Sequence, residues 1–379
     1  MRRRTTVRAR SLLALVMAAA SLVALPSPSV AATCQAWSGQ PPAIGNEWSG
    51  LNDVAVISAC RAFAVGIYRH DDVERALIER WNGTKWSIVD LPDFGAAHDG
   101  LQGVAAASAN DVWAVGTAIT ETFRDRPLIL RWQGKGWTQI PTPGTGESKL
   151  YAVDVVAPDD IWVVGQRRID GTQQPLIERW NGVKWKVIPT PELASGGSLY
   201  AVDASGRDSA WAVGSREVGE QLVPLTMRWN GTRWSVRPAP TIDDEDFHEL
   251  HGVVTISSSK AWAVGNTGGT GYRDLLYRWN GTEWKVVAHP ETSGGGQLRA
   301  IEATSATNIW AVGTACDLSD RCDSRVLHFD GSRWRVHPSA TFGDGSRFNG
   351  IGASSPTNAW AVGSTSAPST YTPFAVHCC

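Results

Sequence analysis

One short phrase returns along this chain at nearly constant spacing, and that spacing limits the fold more than any other feature. Trp-Ala-Val-Gly, or a close variant, places an aromatic residue at Phe63, Trp113, Trp162, Trp211, Trp262, Trp310 and Trp360, in steps of 48 to 51 residues. Twelve positions before each stands an apolar residue: Leu51, Leu101, Leu150, Leu199, Leu250, Leu298 and Phe348. A second aromatic recurs at Trp81, Trp132, Trp180, Trp229, Trp279 and Phe329. A third follows five residues later, at Trp86, Trp137, Trp185, Trp234, Trp284 and Trp334. Self-similarity at such a period marks a repeat architecture, in which each unit completes its core against its neighbours.

Each unit reads as four short strands. In the third, "LYAVDVV" alternates, "APDD" turns, "IWVVGQR" and "PLIERW" follow, and "KWKVIPTP" ends the unit. The Asn-Gly before the last strand tolerates the positive φ that a two-residue hairpin needs. The prolines of the last strand fit an outer edge, where a missing N–H is harmless. No long helical period intervenes. A four-stranded unit cannot bury both faces alone, and radial repetition packs each sheet against the next. The expectation is an all-β, seven-bladed β-propeller of four-stranded antiparallel blades.

The last unit is incomplete: it has "GIGASSPTNAWAVG" and "TPFAVHCC" but no fourth strand. Near the N-terminus, "CQAWSGQPPAIG" resembles "TKWKVIPTP" with Trp37 in the aromatic position. Residues 33–50 are therefore expected to supply the outer strand of the last blade and the link to the first. With Trp37 so placed, only Trp48 of the 19 tryptophans stands off the lattice. Residues 33–379 then form a single domain.

Residues 1–32 read as an export signal: five arginines, an apolar run from Leu12 to Leu25, then Pro26, Pro28 and small residues, with cleavage near Ala32. The apolar run is short for a bilayer span, and no transmembrane segment is expected. The mature chain is expected to be secreted, where disulfides persist. Its six cysteines are an even set. Cys34 and the pair Cys378 and Cys379 flank the broken turn of the last blade, and Cys60 lies in the first turn of the first unit. Cys34 and Cys60 are each expected to bridge to one of Cys378 and Cys379. Cys316 and Cys322, bracketing "DLSDR", are expected to pair together. Bridging the termini of so long a ring stabilises it by about 4–5 kcal/mol in the loop-entropy picture.

On these repeats the chain resembles the β-propeller superfamily, and within it secreted bacterial seven-bladed propellers with a "WAVG…RWNGTxW" repeat. It is also similar to tectonin-type lectin repeats, which share an apolar start, a "VWAV" second strand and a terminal Trp. The period exceeds that of WD40 repeats, whose Gly-His and Trp-Asp dipeptides are missing, and the paired glycines of kelch are absent. "FDGSRW" at Phe329–Trp334 resembles a worn Asp-box, one residue too short between Asp330 and Gly331. The resemblance implies a fold; function has to come from particular sites.

A formal charge of −2 excludes a strong electrostatic hold on nucleic acid or an anionic membrane. No Gly-rich phosphate loop, serine elbow or redox Cys pair occurs, so no catalytic residue is nominated. The repeated "RWNGTxW" reads as the hairpin of each blade, its tryptophans between sheets and its arginine on an acidic turn residue such as Asp111 or Asp160. The alternative is a multivalent lectin presenting those tryptophans to sugars. The better binding candidates vary from unit to unit: Asn52, Gln102, Tyr151, Tyr200, His251, Arg299 and Asn349, each directly after the unit-starting residue. They open the innermost strands and are expected to ring one mouth of a central channel, with His98, Asp99, Glu147, His248, Glu249 and Arg347 nearby. The partner expected there is a surface glycan, peptide or protein.

The loop "TIDDEDFHELH", residues 241–251, concentrates carboxylates, which suit calcium, and imidazoles, which suit zinc. His248, Glu249 and His251 are the metal candidates, although neither His-Glu-x-x-His nor a calcium-loop spacing fits. A solvated acidic loop without a cofactor is the plainer reading. The expectation is a monomeric binding module, with a propeller enzyme, a lyase or hydrolase at the same mouth, as the alternative.

Overall fold

The computed structural model describes residues 37–40, 48–143, 146–242, 247–268, 272–290, 294–319, 321–338, 342, 345–367 and 370–378, all within the compact unit Thr33–Cys379. Among the described residues every regular element is a strand, and no helix is long and apolar enough to cross a membrane. The chain folds into four-stranded antiparallel sheets that follow the repeats. In the third unit, Ser148–Ala157, Asp160–Ile169, Thr172–Trp180 and Trp185–Val187 pair in chain order.

The Gly that ends each Trp-Ala-Val-Gly phrase has a steric cause. Every innermost strand carries a β-bulge just after its unit-starting residue, such as the register shift between Leu150 and Ala152. The bulge presses the strand against its neighbour, so a Cβ on Gly165 would stand 1.9 Å from the Lys149 carbonyl oxygen. Gly66, Gly116, Gly214, Gly265, Gly313 and Gly363 meet the same obstruction, at 1.8 to 2.0 Å. A side chain cannot occupy that space.

The tryptophans join one sheet to the next. Trp113 of the second unit packs on Trp180 and Trp185 of the third, with centroids 5.1 and 5.5 Å apart. Trp162 meets Trp229 and Trp234 of the fourth unit in the same way, at 5.2 and 5.3 Å. At the end of the series Trp360 lies 4.9 and 5.0 Å from Trp81 and Trp86 of the first unit. The lattice tryptophans from Trp81 to Trp360 are at most 7% exposed. Burial of so large a ring makes each worth about 3–5 kcal/mol against truncation to Ala. This overturns the expectation, held as an alternative, of tryptophan faces offered to sugars: the rings have no free face. The arginine of the hairpin is likewise structural. Arg131 bonds Asp111 through Nε and Nη2 at 2.8 and 3.0 Å, and Arg179 bonds Asp160 at 2.5 and 2.8 Å.

Two features differ from a simple series of separate sheets. The strands of the fourth and fifth units form one eight-stranded sheet, because Leu222 and Phe247 make a parallel bridge between Gln221–Trp229 and Phe247–Ser257. The innermost strand of the fifth unit begins early enough to reach that hairpin. Second, the backbone of Trp37–Gln40 pairs antiparallel with Thr370–Cys378, with Trp37 opposite Cys378. Trp86 stands opposite Trp81 in the same register within the first sheet.

Cys316 and Cys322 are joined by a disulfide across their hairpin. Cys378 is disulfide-bonded, while Cys34 and Cys379 lie outside the described residues. The expectation for Cys60 is corrected: it is an exposed free thiol. Its neighbour is the hairpin turn of its own unit, since a Cβ on Gly83 would lie 3.4 Å from Cys60 Sγ. Asp159 faces Gly182 and Asp208 faces Gly231 in the same position of their units, so the turn directs this side chain toward the hairpin of its own unit.

Candidate functional site

The residues Asn52, Gln102, Tyr151, Tyr200, His251, Arg299 and Asn349 all line one central cavity of about 300 Å³. The bulge explains why. Each is the extra, unpaired residue of its innermost strand, as Tyr151 is between Leu150 and Ala152 and His251 between Leu250 and Gly252. A bulge re-aims a side chain that regular pleating would direct into a sheet interface. The bulge thus both requires the recurrent Gly of the neighbouring strand and exposes a residue that differs from unit to unit to the lumen.

The ring is uneven. On one arc, amides serve the fold: Asn349 Nδ2 donates to Leu51 O at 2.9 Å, and Asn52 Nδ2 to Leu101 O at 2.8 Å. These two bonds tie consecutive innermost strands, so part of the capacity assigned to ligand is structural. On the other arc three rings stand in a row, Tyr151 to Tyr200 at 5.5 Å and Tyr200 to His251 at 5.8 Å. Arg299 follows on the next strand.

Glu249 braces this arc. Its Oε1 accepts from Tyr200 Oη at 3.2 Å and Ser215 Oγ at 3.3 Å, and its Oε2 lies 3.8 Å from His251 Nε2. His251 Nε2 is 2.7 Å from Asn266 Oδ1, an acceptor, so this nitrogen carries the proton and Nδ1 is left as acceptor. Burial, then the positive charge of Arg299, pushes the His251 pKa down to about 4, so the imidazole is neutral at pH 7. Burial also raises the Glu249 carboxyl and the Tyr200 and Tyr151 hydroxyls. Arg299 is lowered by burial and by Arg347, with Glu249 opposing. Its Nη2 donates to Gln297 Oε1 at 2.8 Å.

The three metal candidates do not converge. Glu249 and His251 face the lumen arc, but His248 is 1% exposed and its Nε2 is held by the backbone of Ile242, 2.9 Å from the carbonyl oxygen. Strand periodicity separates them: adjacent positions face opposite sides, so Glu249 and His251 share one side and His248 faces the other. Among the described residues no group of three or more His, Cys, Asp or Glu is arranged to hold a metal ion. Asp243–Asp246 of the acidic loop lie outside the described residues. The other nearby candidates serve as latches. Asp99 accepts from Arg75 Nη1 at 3.1 Å and the Ala76 N–H at 2.7 Å, His98 Nδ1 from the Glu74 N–H at 3.2 Å, and Glu147 from Arg124 at 2.9 Å.

Four lumen carboxylates escaped the sequence reading: Asp53, Asp154, Asp203 and Glu302. Asp53, Asp154 and Asp203 cross to the next innermost strand, accepting from the N–H groups of Val104, Ala204 and Thr255 at 2.9, 3.0 and 2.5 Å. Burial raises Asp53 and Asp203 to about 6. Burial, then a neighbouring carboxylate, Asp203 for both, raises Asp154 and Glu302 well above the usual range. A signal was available: Asp154, Asp203 and Glu302 each stand three residues after the ring residue, where other units carry Ala55, Ala105 and Gly352.

No known protein-family profile matches this chain, and no curated protein matches it. Solved structures do match in shape. YCF48 bound to D1 peptide superposes with a TM-score of 0.58 at 15% identity, covering 94% of this chain and 100% of that one. A polysaccharide lyase of the ulvan-lyase family PL25, bound to a chain of GlcA and Rha3S, gives 0.53 at 10% identity, covering 90% and 96%. A Dyadobacter fermentans protein of unknown function gives 0.52 at 10% identity, covering 90% and 98%. YCF48 and the lyase are β-propellers, and the all-β sheets described above share that fold.

Proposed function

We propose that this chain is an exported, seven-bladed β-propeller that works as a binding module, with its ligand at the channel mouth ringed by Asn52, Gln102, Tyr151, Tyr200, His251, Arg299 and Asn349. The observation that carries this reading is the convergence of the bulge residues on one lumen. Packing alone requires the bulge but not the variety of side chains placed on it. Counting the eight-stranded sheet as two blades joined by a single bridge supports seven, and the pairing of Trp37–Gln40 with Thr370–Cys378 supports a last blade completed by the N-terminal strand. The basic, apolar leader and the disulfides support export. The structures of YCF48 and of the lyase hold a peptide and a saccharide respectively, which supports a glycan, peptide or protein as the partner class.

The test is capture of ligand from glycan and peptide arrays by the exported chain and by the variant Tyr151→Ala/His251→Ala. Loss of the captured ligand with an unchanged melting temperature supports the mouth. Full retention by a folded variant refutes it. The neutral imidazole of His251, with Nδ1 free to accept a proton, favours a second reading as an enzyme at the same place. Turnover of the captured ligand, abolished in His251→Ala, distinguishes it from binding alone.

A further inference from the structure

We propose that the mouth recognises an acidic sugar unit, a hexuronate whose carboxylate pairs with Arg299 and whose ring lies on the shelf of Tyr151 and Tyr200. The inference rests on the binding-module reading above and adds the chemical class of the ligand.

Charge is the first argument. Arg299 and Arg347 stand around this arc with the carboxylates of Glu249 and Asp125, and Asp125 is paired with Lys149 at 3.1 Å. Glu249 is already engaged by two hydroxyls, those of Tyr200 and Ser215. His251 adds no charge at pH 7. One positive charge is therefore uncompensated, and Arg347 lies near enough to repel Arg299. An anion placed beside them relieves that repulsion, and a planar carboxylate matches the guanidinium fork.

Depth is the second. The lumen carboxylates Asp154, Asp203 and Glu302 stand three residues further along their strands, about 10 Å from the ring at the rise of a β-strand. The arginine stands at the mouth and the carboxyl groups lie deeper, with Asp203 raised only to about 6, so an anionic ligand is retained at the mouth and does not thread through.

Size and surface are the third. A free volume of about 300 Å³ lies at the small end of ligand pockets and suits one ring rather than a folded segment of protein. Tyr151 and Tyr200 meet edge to face at 64°, so the C–H side of a sugar would lie on one ring and against the edge of the other. Among the described residues no partner takes the Tyr151 hydroxyl, and Gln102 on the adjacent strand supplies a further amide. Hydroxyl and amide groups grouped around an arginine suit a polyhydroxylated acid better than an apolar side chain.

The experiment titrates the exported full-length chain with D-glucuronate and D-galacturonate, with D-glucose and D-galactose as neutral counterparts, and with N-acetylglycine as a peptide-like carboxylate, followed by ligand-observed NMR. The uronates are expected to bind about tenfold or more tightly than the neutral sugars, the scale of one charge-assisted contact. Arg299→Gln should remove that preference, Arg299→Lys should keep part of it, and Tyr151→Ala should weaken acidic and neutral sugars alike. Near-UV circular dichroism reports that each variant is folded. Equal binding of uronates and neutral sugars, lost in Tyr151→Ala, overturns the acidic-sugar inference and leaves the mouth as the binding site. N-acetylglycine binding as tightly as the uronates overturns it in favour of a peptide carboxylate. Uronate binding untouched by both the Arg299 and the Tyr151 variants overturns the inference and the mouth reading together. No binding by any probe overturns the inference alone.

Discussion

The imidazole of His328 lies stacked on the indole of Trp310, with ring centroids 3.9 Å apart, while its Nε2 bonds Asn308 Oδ1 at 2.6 Å. Three units earlier the same three positions hold Arg179, with Cζ 4.4 Å over Trp162, and Asp160. His377, Trp360 and Asn358 repeat the neutral version, with stacking at 4.4 Å and a bond of 2.8 Å. One packing position is thus filled either by an ion pair or by a neutral imidazole–amide pair. Both place a flat, π-faced group on the buried indole and satisfy its polar edge.

The two chemistries should respond differently to acid. Burial, then His337, pushes the His328 pKa down to about 4, below its unfolded value near 6.5. The unfolded chain therefore takes up the proton first. The contribution of neutral His328 is present above about pH 6.5 and is lost as pH falls toward 4. Asn308→Asp combined with His328→Arg installs the arrangement of Asp160 and Arg179. Melting temperatures followed by tryptophan fluorescence should show a smaller loss between pH 6.5 and pH 4 than in the parent. An identical acid slope would sink the assignment.

Glu178 is a different case. It is fully buried in the third strand of its unit, where the second and fourth units carry Leu130 and Met227. Neither carboxyl oxygen has a hydrogen-bond partner among the described residues. Burial raises its pKa to about 8, with Arg167 opposing. Because the folded value exceeds the unfolded one, this group lowers stability progressively as pH rises from about 4.5 to about 8. Glu178→Leu should be more stable than the parent by a few kcal/mol at pH 8 and by about 1 kcal/mol or less at pH 5. Urea titrations at the two pH values measure the difference. A gain independent of pH would show that packing, not ionisation, is responsible.

Gly165 supports the site indirectly. A methyl group there would meet Lys149 O at 1.9 Å and Leu150 Cα at 2.9 Å. Gly165→Ala should therefore cost about 3 kcal/mol or more, the upper range of overpacking, and should release the bulge that presents Tyr151. The denaturation midpoint and the tyrosine near-UV signal should fall together. A tolerated alanine with both unchanged would refute this account of the Trp-Ala-Val-Gly phrase.

Cys60 should behave as a reactive surface thiol. It is exposed and unbridged, whereas Cys316 and Cys322 are joined. Alkylation of the native chain with a maleimide, followed by peptide mapping, should modify the peptide containing Cys60 and spare the one containing Cys316 and Cys322. Protection of Cys60 without reductant would overturn its assignment as free.

Much of this protein was determined by local sequence. Strand periodicity, the Asn-Gly turn and the spacing of the tryptophans are short-range properties, and the sheets Ser148–Ala157 to Trp185–Val187 follow them residue by residue. The pairing of Arg131 with Asp111 was legible for the same reason, since both lie within one unit. Tertiary structure decided what the local pattern leaves open. A bulge made Tyr151 and His251 the extra residues that line the lumen, and alternation by itself does not reveal a bulge. The carboxylates of Asp154 and Asp203 became neighbours only when strands some fifty residues apart were brought side by side, and their raised pKa values come from that confinement. Cys60 turned to its own hairpin rather than to the chain terminus, because the direction of a side chain follows the backbone of its turn. Hydrogen-bond register is a local property of a strand, whereas convergence on a common lumen depends on where every other strand has come to rest.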